Sequence, residues 1–436
     1  MGGGLLQLVA YGAQDAYLIG NPQITFWKSL YKRHSNFAME PFRINFTGQV
    51  GWGGKHTAIL GRHADLLYST YLEVVMPAGA DVNNDGYRMG YNLIKYVDLD
   101  IGGQLIDRLY SEYMFLWDCL TSSNEIGRKL FDMVGMGENS KEVTIPTPST
   151  CSQSAPRPEL PTVLYVPLPF FYTRNPGCAL PLIALQYHEV KINIQLNDVK
   201  FIASNFTAGA LATNAIKDGP TQAAIYVDYI YLDTEERRRM AQQSHEYLIE
   251  QVQYNEDRGI TTVSNRIDLT FNHPVKELIW VVQPTSYTNC SVATAFGETR
   301  LKPFTYDQAA VYEQWIQING QDRLDRRFGD YYNKVQMYQH HTGSANPQYR
   351  STGGTQQREE VNRGIYVYSF ALKPEEHQPS GTCNFSRIDT ATIVMTMNGG
   401  SIVIDDGDNG WDVRVYATNY NILRIMNGMA GLAYSN

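Results

Sequence analysis

A period of two runs through most of this chain. Phe42-Arg43-Ile44-Asn45-Phe46 alternates, as do Val97-Asp98-Leu99-Asp100-Ile101 and Val190-Lys191-Ile192-Asn193-Ile194. Trp315-Ile316-Gln317-Ile318 and Val413-Arg414-Val415-Tyr416 follow the same rule. Successive strand side chains point to opposite faces, so each segment reads as a half-buried strand with one face on a core. Gly, Pro and Asn clusters separate these segments, the punctuation of β-sandwiches and barrels. Helical signals are few. Asn21-Pro22 reads as an N-cap with proline at the first helical position, and Phe26, Trp27 and Leu30 supply a stripe behind it. From Ser111 to Leu120, the residues Tyr113, Met114, Leu116, Trp117 and Leu120 can line one side of a helix. Asn139 to Pro161 holds five prolines and reads as a long surface loop, and Gly343 to Gly354 as a second.

The alternating segments recur in order. Ile101-Gly102-Gly103-Gln104 is answered by Ile318-Asn319-Gly320-Gln321, each behind an alternating strand. Both precede an Asp-Arg pair, Asp107-Arg108 and Asp325-Arg326, and then an aromatic-rich stretch. Tyr165-Val166 parallels Tyr366-Val367, and Cys178 parallels Cys383. The offsets are 217, 201 and 205 residues, so order is kept while loop lengths drift. Two homologous β-domains in tandem explain this. The joint falls near Asp233 to His245, where Glu235-Glu236-Arg237-Arg238-Arg239 breaks the strand pattern.

Composition narrows the function classes. Only 18% of the 436 residues are charged, and 30 are tyrosines. Disorder needs high net charge and few aromatics, whereas interfaces favour aromatics and shed charge. The net charge of −8 gives no global field to attract phosphates, which excludes bulk nucleic-acid packaging. No apolar run approaches the roughly 18 residues of a membrane span. The N-terminus lacks a signal-peptide pattern, and Leu6 stands where myristoylation wants Ser or Thr. A soluble intracellular chain is the expectation. Its five cysteines (Cys119, Cys151, Cys178, Cys290, Cys383) never form CxxC and read as buried free thiols.

A search for chemistry returns no catalytic, cofactor or metal residue. Gly48 to Lys55 misses the phosphate-loop spacing, with His56 at the hydroxyl position, and reads as a glycine hairpin. His188-Glu189 and His245-Glu246 lack the second histidine of a zinc-protease motif and read as strand or interface histidines. Asp81 to Gly86 opens like a calcium loop, but Asn92 stands where the bidentate carboxylate belongs, leaving an exposed polar hairpin as the reading. Arg237-Arg238-Arg239, flanked by Glu235 and Glu236, reads as a solvated or inter-domain contact. The sequons at Asn45, Asn205, Asn289 and Asn384 read as chance matches, so no glycosylation site is assigned.

Longer strings carry a resemblance. Leu8 to Asp15 (LVAYGAQD), Gly20 to Phe26 (GNPQITF) and Leu180 to Val190 (LPLIALQYHEV) are three of them. Val227 to Ile230 (VDYI), His245 to Gln251 (HEYLIEQ) and Phe271 to Pro274 (FNHP) are three more. Pro379 to Asp389 (PSGTCNFSRID) and Asn421 to Tyr434 (NILRIMNGMAGLAY) complete the set. Together they resemble the major capsid proteins of large icosahedral nucleocytoplasmic double-stranded DNA viruses, with the chlorella virus (phycodnavirus) branch nearest. The likeness runs from end to end. It implies an all-β chain of two tandem eight-stranded antiparallel jelly rolls with few short helices. The expected division is an N-terminal arm at 1–25, a first jelly roll at 26–236 and a second at 237–436. The implied function is structural and non-enzymatic: homotrimers form pseudo-hexagonal capsomers that tile an icosahedral virion shell over an internal membrane. Neighbouring capsomers and minor capsid and penton proteins are the implied partners, with no sequence-specific nucleic acid and no cofactor. Assembly is expected in the cytoplasm of the infected cell. The arm from Gly2 to Tyr17 is expected to lie along the inner face and tie a capsomer to its neighbours. The Pro-rich stretch at Asn139 to Pro161 and a short Pro284-to-Tyr312 connection depart from the family pattern. A minor capsid paralogue or a carbohydrate- or host-receptor-binding jelly roll is the alternative; a cupin-type enzyme lacks its histidine and carboxylate metal cluster.

Overall fold

The computed structural model describes residues 3–10, 12–15, 35–76, 89–122, 129–130, 133–135, 163–198, 206–207, 210–211, 219–285, 310–343, 348–352, 355–359, 364–398 and 410–434. The chain divides into two compact units, 1–38 and 39–436. Within the first, α1 (Gly3–Val9) is a two-turn helix with Leu6 and Val9 exposed. The helix start read at Asn21-Pro22, the calcium-like stretch Asp81 to Gly86, the Asn139-to-Pro161 loop, Cys151, Cys290 and the sequons Asn205 and Asn289 lie outside the described residues.

The larger unit is built from β-strands. The first eight are β1 (Phe37–Asn45), β2 (Lys55–Leu60), β3 (Leu66–Val75), β4 (Ile94–Ile101), β5 (Gln104–Tyr110), β6 (Val163–Pro167), β7 (Val190–Leu196) and β8 (Gln222–Leu232). They form two sheets of order β1-β8-β3-β6 and β2-β7-β4-β5. Eight more follow: β9 (His245–Ile260), β10 (Ser264–Asp268), β11 (Pro274–Pro284), β12 (Val311–Ile318), β13 (Arg327–Phe328), β14 (Ile365–Ser369), β15 (Ala391–Met397) and β16 (Trp411–Met426). Their sheets run β9-β16-β11-β14 and β10-β15-β12, with β13 paired to β12. Every strand n of the first set therefore has its counterpart at n+8. Even the short strands agree, Leu180–Pro181 pairing β3 as Cys383–Asn384 pairs β11. Two antiparallel jelly rolls in tandem are what the resemblance implied.

The turns explain why the Gly-Gln motif repeats. Ile101 faces Gln104 across Gly102 (φ 62°) and Gly103 (φ 86°); Ile318 faces Gln321 across Asn319 (φ 50°) and Gly320 (φ 76°). Both central residues of a type I′ turn need positive φ, which only Gly and Asn adopt cheaply. Gly102 has a second constraint, because a Cβ there would lie 2.4 Å from the His188 ring.

Several readings are corrected. Tyr165-Val166 and Tyr366-Val367 do sit on counterpart strands, but one residue out of step. Tyr165 lies opposite Glu73 on an outward face, whereas Tyr366 is buried in the second core, and a one-residue slip flips every side chain. Gly48 to Lys55 is no hairpin: it carries the chain from β1 in one sheet to β2 in the other. Within Gly343 to Gly354 the strand Gln348–Thr352 pairs with Thr355–Glu359, so part of that loop is a hairpin. Val413 to Tyr416 is not half-buried. From Trp411 to Asn421, β16 is buried on both faces. Likewise α2 (Ser111–Thr121) buries residues all round its circumference rather than one side. The joint between the rolls is itself a helix, α3 (Thr234–Gln242), capped electrostatically by Glu235 and Glu236 in its first turn and Arg239 in its last.

Candidate assembly site at the seam of the two sandwiches

Both exceptions have one cause. The second sandwich has its own core, in which Leu278, Trp280, Val282, Tyr366, Val413 and Val415 pack together. The alternate residues of the same strands, Ile279, Val281, Ile365, Val367 and Tyr416, belong instead to the core cluster of the first sandwich. The sheet β9-β16-β11-β14 is thus covered on both faces. Strands buried on both faces lose alternation and read as continuous apolar runs, as Leu278 to Val282 does.

α2 is wedged into this seam, and its first turn carries the strongest contact. Arg414 donates to Glu112 through Nε and Nη2, both at 2.7 Å, and through Nη2 to Gln283 Oε1 at 2.6 Å. The Tyr416 hydroxyl donates to Glu112 Oε2 at 2.6 Å. Burial, then the Glu112 charge, pushes the Tyr416 phenol well above its usual range, so it stays a donor. Tyr110, Tyr113 and Tyr254 surround Tyr416 with ring centroids at 6.1, 5.8 and 5.1 Å. A bidentate Arg–carboxylate pair this dry is rigid and geometrically selective.

A second charged group lies toward the far end of α2. Arg174 donates to Glu250 Oε2 at 2.8 Å and stacks 4.0 Å over the Trp117 ring, while Lys276 Nζ lies 2.8 Å from Glu250 Oε1. Lys276 is fully buried, so Glu250 is what makes its charge tolerable. Beside them His341 sits between two carboxylates, Nε2 3.2 Å from Glu277 and Nδ1 3.0 Å from Glu375. Burial alone would lower the His341 pKa, but the two carboxylates prevail and lift it to about 9. Burial would raise Glu277, yet His341, Lys276 and Arg174 hold it below the usual range. Glu375 also accepts from the Thr342 N–H at 2.9 Å and from its hydroxyl at 2.7 Å, and the Gly343 N–H donates to Leu120 O at 2.6 Å. A Cβ on Gly343 would lie 2.4 Å from Leu120 O, so only glycine lets the second roll approach the end of α2 this closely. A cavity of about 460 Å³ opens here, lined by Trp117, Arg174, Asn175, Glu250, Glu375 and His377 among others.

The His341 contact has a pH signature. Its folded pKa is raised above the unfolded value near 6.5, so its stabilisation is complete below pH 6.5 and disappears as pH rises through about 9. Thermal midpoints are expected to fall between pH 6.5 and 9.5, and the fall to flatten in His341→Gln. An equal slope in that variant would contradict the assignment.

The sequence-flagged residues go elsewhere. His56 is a core histidine with Nε2 2.8 Å from Gly51 O. His188 is an interface histidine: its Nδ1 accepts from the Ala430 N–H of the second roll at 3.1 Å. His245 bonds Met240 O at 2.7 Å. Arg237 pairs with Asp65 at 2.9 Å while remaining largely solvated. Asn45 is exposed on β1, and Asn384 uses its side chain to cap a short 3-10 turn. Cys119 and Cys178 are buried, whereas Cys383 is only half-buried. Among the described residues no cluster of three or more His, Cys, Asp or Glu could hold a metal. Sequence reasoning passed over Glu112, Arg174, Glu250, Lys276, Glu277 and His341. One signal was available: Lys276-Glu277 interrupts an otherwise apolar strand, and charges inside such a run are buried and paired or not there.

Comparison with known proteins agrees with this geometry. The family described as "Major capsid protein N-terminus" matches residues 25–233, and "Large eukaryotic DNA virus major capsid protein" matches residues 236–431. The chain is 42% identical to the major capsid protein of Phaeocystis pouchetii virus and 40% identical to that of Paramecium bursaria Chlorella virus 1, over all of each protein. Its fold superposes on the crystal structure of PBCV-1 VP54 with a TM-score of 0.73 at 35% identity, covering 94% of this chain and 100% of that one. Two jelly rolls locked by a buried seam, matched end to end by these relatives, place the chain in the major capsid protein family of the large eukaryotic DNA viruses: it is a structural component of a virion shell.

Proposed function

We propose that this capsid protein assembles as a homotrimer whose six sandwiches give a pseudo-hexagonal capsomer. Such capsomers tile an icosahedral shell over an internal viral membrane, in contact with neighbouring capsomers and with minor capsid and penton proteins. Assembly takes place in the cytoplasm of the infected cell, and the chain has no catalytic role and reads no nucleic-acid sequence. The proposed division is an arm at 1–25, a jelly roll at 26–236 and a second at 237–436, with the arm bridging to neighbours along the inner face.

One observation carries this reading: each chain already holds one jelly roll against the next through a buried, charge-locked seam. Repeating that contact between chains multiplies a pair of rolls into a closed ring without a new kind of interface. A large share of aromatics in a low-charge chain suits the amount of surface that such an assembly buries. The test is quantitative mass spectrometry of purified virions. This chain is expected to be the most abundant protein by mass. Trace abundance would overturn the major-shell reading in favour of a minor paralogue.

A further inference from the structure

The repeat makes the two rolls comparable residue by residue, and the comparison exposes an asymmetry. Tyr71 and Ile279 each lie four residues beyond the strand position, Leu67 or Val275, that pairs with the short Cys-side strand. Tyr71 pairs with Tyr226, and Ile279 pairs with Tyr416. Tyr226 therefore holds in β1-β8-β3-β6 the place that Tyr416 holds in the second roll's sheet. The covering corner has a counterpart too. Tyr110 ends β5 opposite Tyr96, five residues before the turn at Ile101; Phe328 ends β13 opposite Glu313, five residues before Ile318. Each is followed at once by a helical turn. Tyr110-Ser111-Glu112-Tyr113 is thus matched by Phe328-Gly329-Asp330-Tyr331: aromatic, small, acidic, tyrosine.

Equivalent residues differ sharply in burial. Tyr113 is 0% exposed where Tyr331 is half-buried, and the Glu112 side chain is 12% exposed where that of Asp330 is 66%. Phe328 is 60% exposed where Tyr110 is half-buried, with Val335 and Tyr338 exposed on the helix beyond. On the other side Tyr226 stacks on Tyr71 at 5.4 Å and Tyr165 packs edge-on to Tyr71 at 6.0 Å, all three only half-buried. Glu73 and Asp228 share this tyrosine face, and burial first, then Asp228 and its other neighbours, raises the Tyr71 phenol. The corner carries Arg326, Arg327 and Lys334 against Asp325 and Asp330, with Lys334 bridging to Asp330 at 3.1 Å, so its net positive charge is opposite to that of Glu73 and Asp228.

We infer that the Phe328–Tyr331 corner of one chain seats on the Tyr71–Tyr165–Tyr226 face of a second copy, repeating between chains the contact that Tyr110–Tyr113 makes with Tyr416 within one chain. This rests on the homotrimer reading and gives that trimer its surface. Tyr226 then donates to the Asp330 carboxylate as Tyr416 donates to Glu112. The contact is head-to-tail: each chain offers its corner to the next and its tyrosine face to the previous one, which generates a ring when the rotation closes.

The test combines dilution with cross-linking. Phe328→Ala/Asp330→Arg alters two exposed side chains, so the fold should persist, with circular dichroism as control. Light scattering on dilution is expected to show trimer dissociation at a concentration on the order of 30-fold higher than for wild type, the effect of losing a central anchor. Separately, Phe328→Cys chains mixed with Tyr226→Cys chains should give a covalent dimer with a short bismaleimide, above the background of either chain alone. A wild-type trimer whose dissociation is unchanged by the double substitution, with no cross-link, would overturn this inference and leave the trimer standing. A wild-type monomer would overturn both.

Discussion

Replacing Glu112 by alanine is expected to destabilise the folded chain by about 3–5 kcal/mol, the effect of stranding a buried charge. Arg414 is 8% exposed, and the substitution removes its bidentate carboxylate while the Gln283 contact stays. Tyr416 loses its acceptor in the same step. The penalty is mostly the cost of a buried guanidinium losing its carboxylate, not the worth of the pair itself. Removing both charges together, as Glu112→Leu with Arg414→Met, should therefore recover most of the loss. Urea unfolding at fixed protomer concentration measures this, since any trimer makes apparent stability depend on concentration. A Glu112→Ala cost below about 1 kcal/mol would place the pair in the class of solvent-screened surface bridges and refute a dry seam.

Trp280→Ala is expected to cost a similar amount, about 3–5 kcal/mol, by a different route. Trp280 is completely buried in the second roll's own core, against Tyr332 and Tyr366 at 5.4 and 6.0 Å. Its indole N–H donates to Gln314 Oε1 at 3.1 Å, and Gln314 is itself fully buried. Truncation leaves a cavity and an unsatisfied amide at once. Trp280→Phe should keep most of the packing and lose chiefly the hydrogen bond, a penalty near 1–3 kcal/mol. Equal losses in the two variants would mean that the hydrogen bond, and not the volume, dominates.

The two substitutions also mark what a reader of the sequence can and cannot find. β7 is legible because one face is less covered: Val190 to Leu196 alternates buried and half-buried without a break. β11 and β14 were missed because both faces are covered, which frees a strand from the period of two. α3 was noticed only as a break in the pattern, although Glu235, Glu236 and Arg239 are placed as a helix dipole asks. The repeated Gly-Gln turns were legible because positive φ restricts residue choice locally. Glu112 and Arg414 stand 302 residues apart, and no local spacing announces their meeting. The long shared strings carried the family and hence the overall fold; the seam had to be seen.

The most direct test of the account is the native mass of the purified protein, taken by light scattering during size exclusion. The chain is 49.3 kDa, so a species at three times that mass, persisting on dilution, is the result this account requires. A stable, monodisperse monomer of 49.3 kDa would contradict it, because the Phe328 corner and the tyrosine face would then remain open to water.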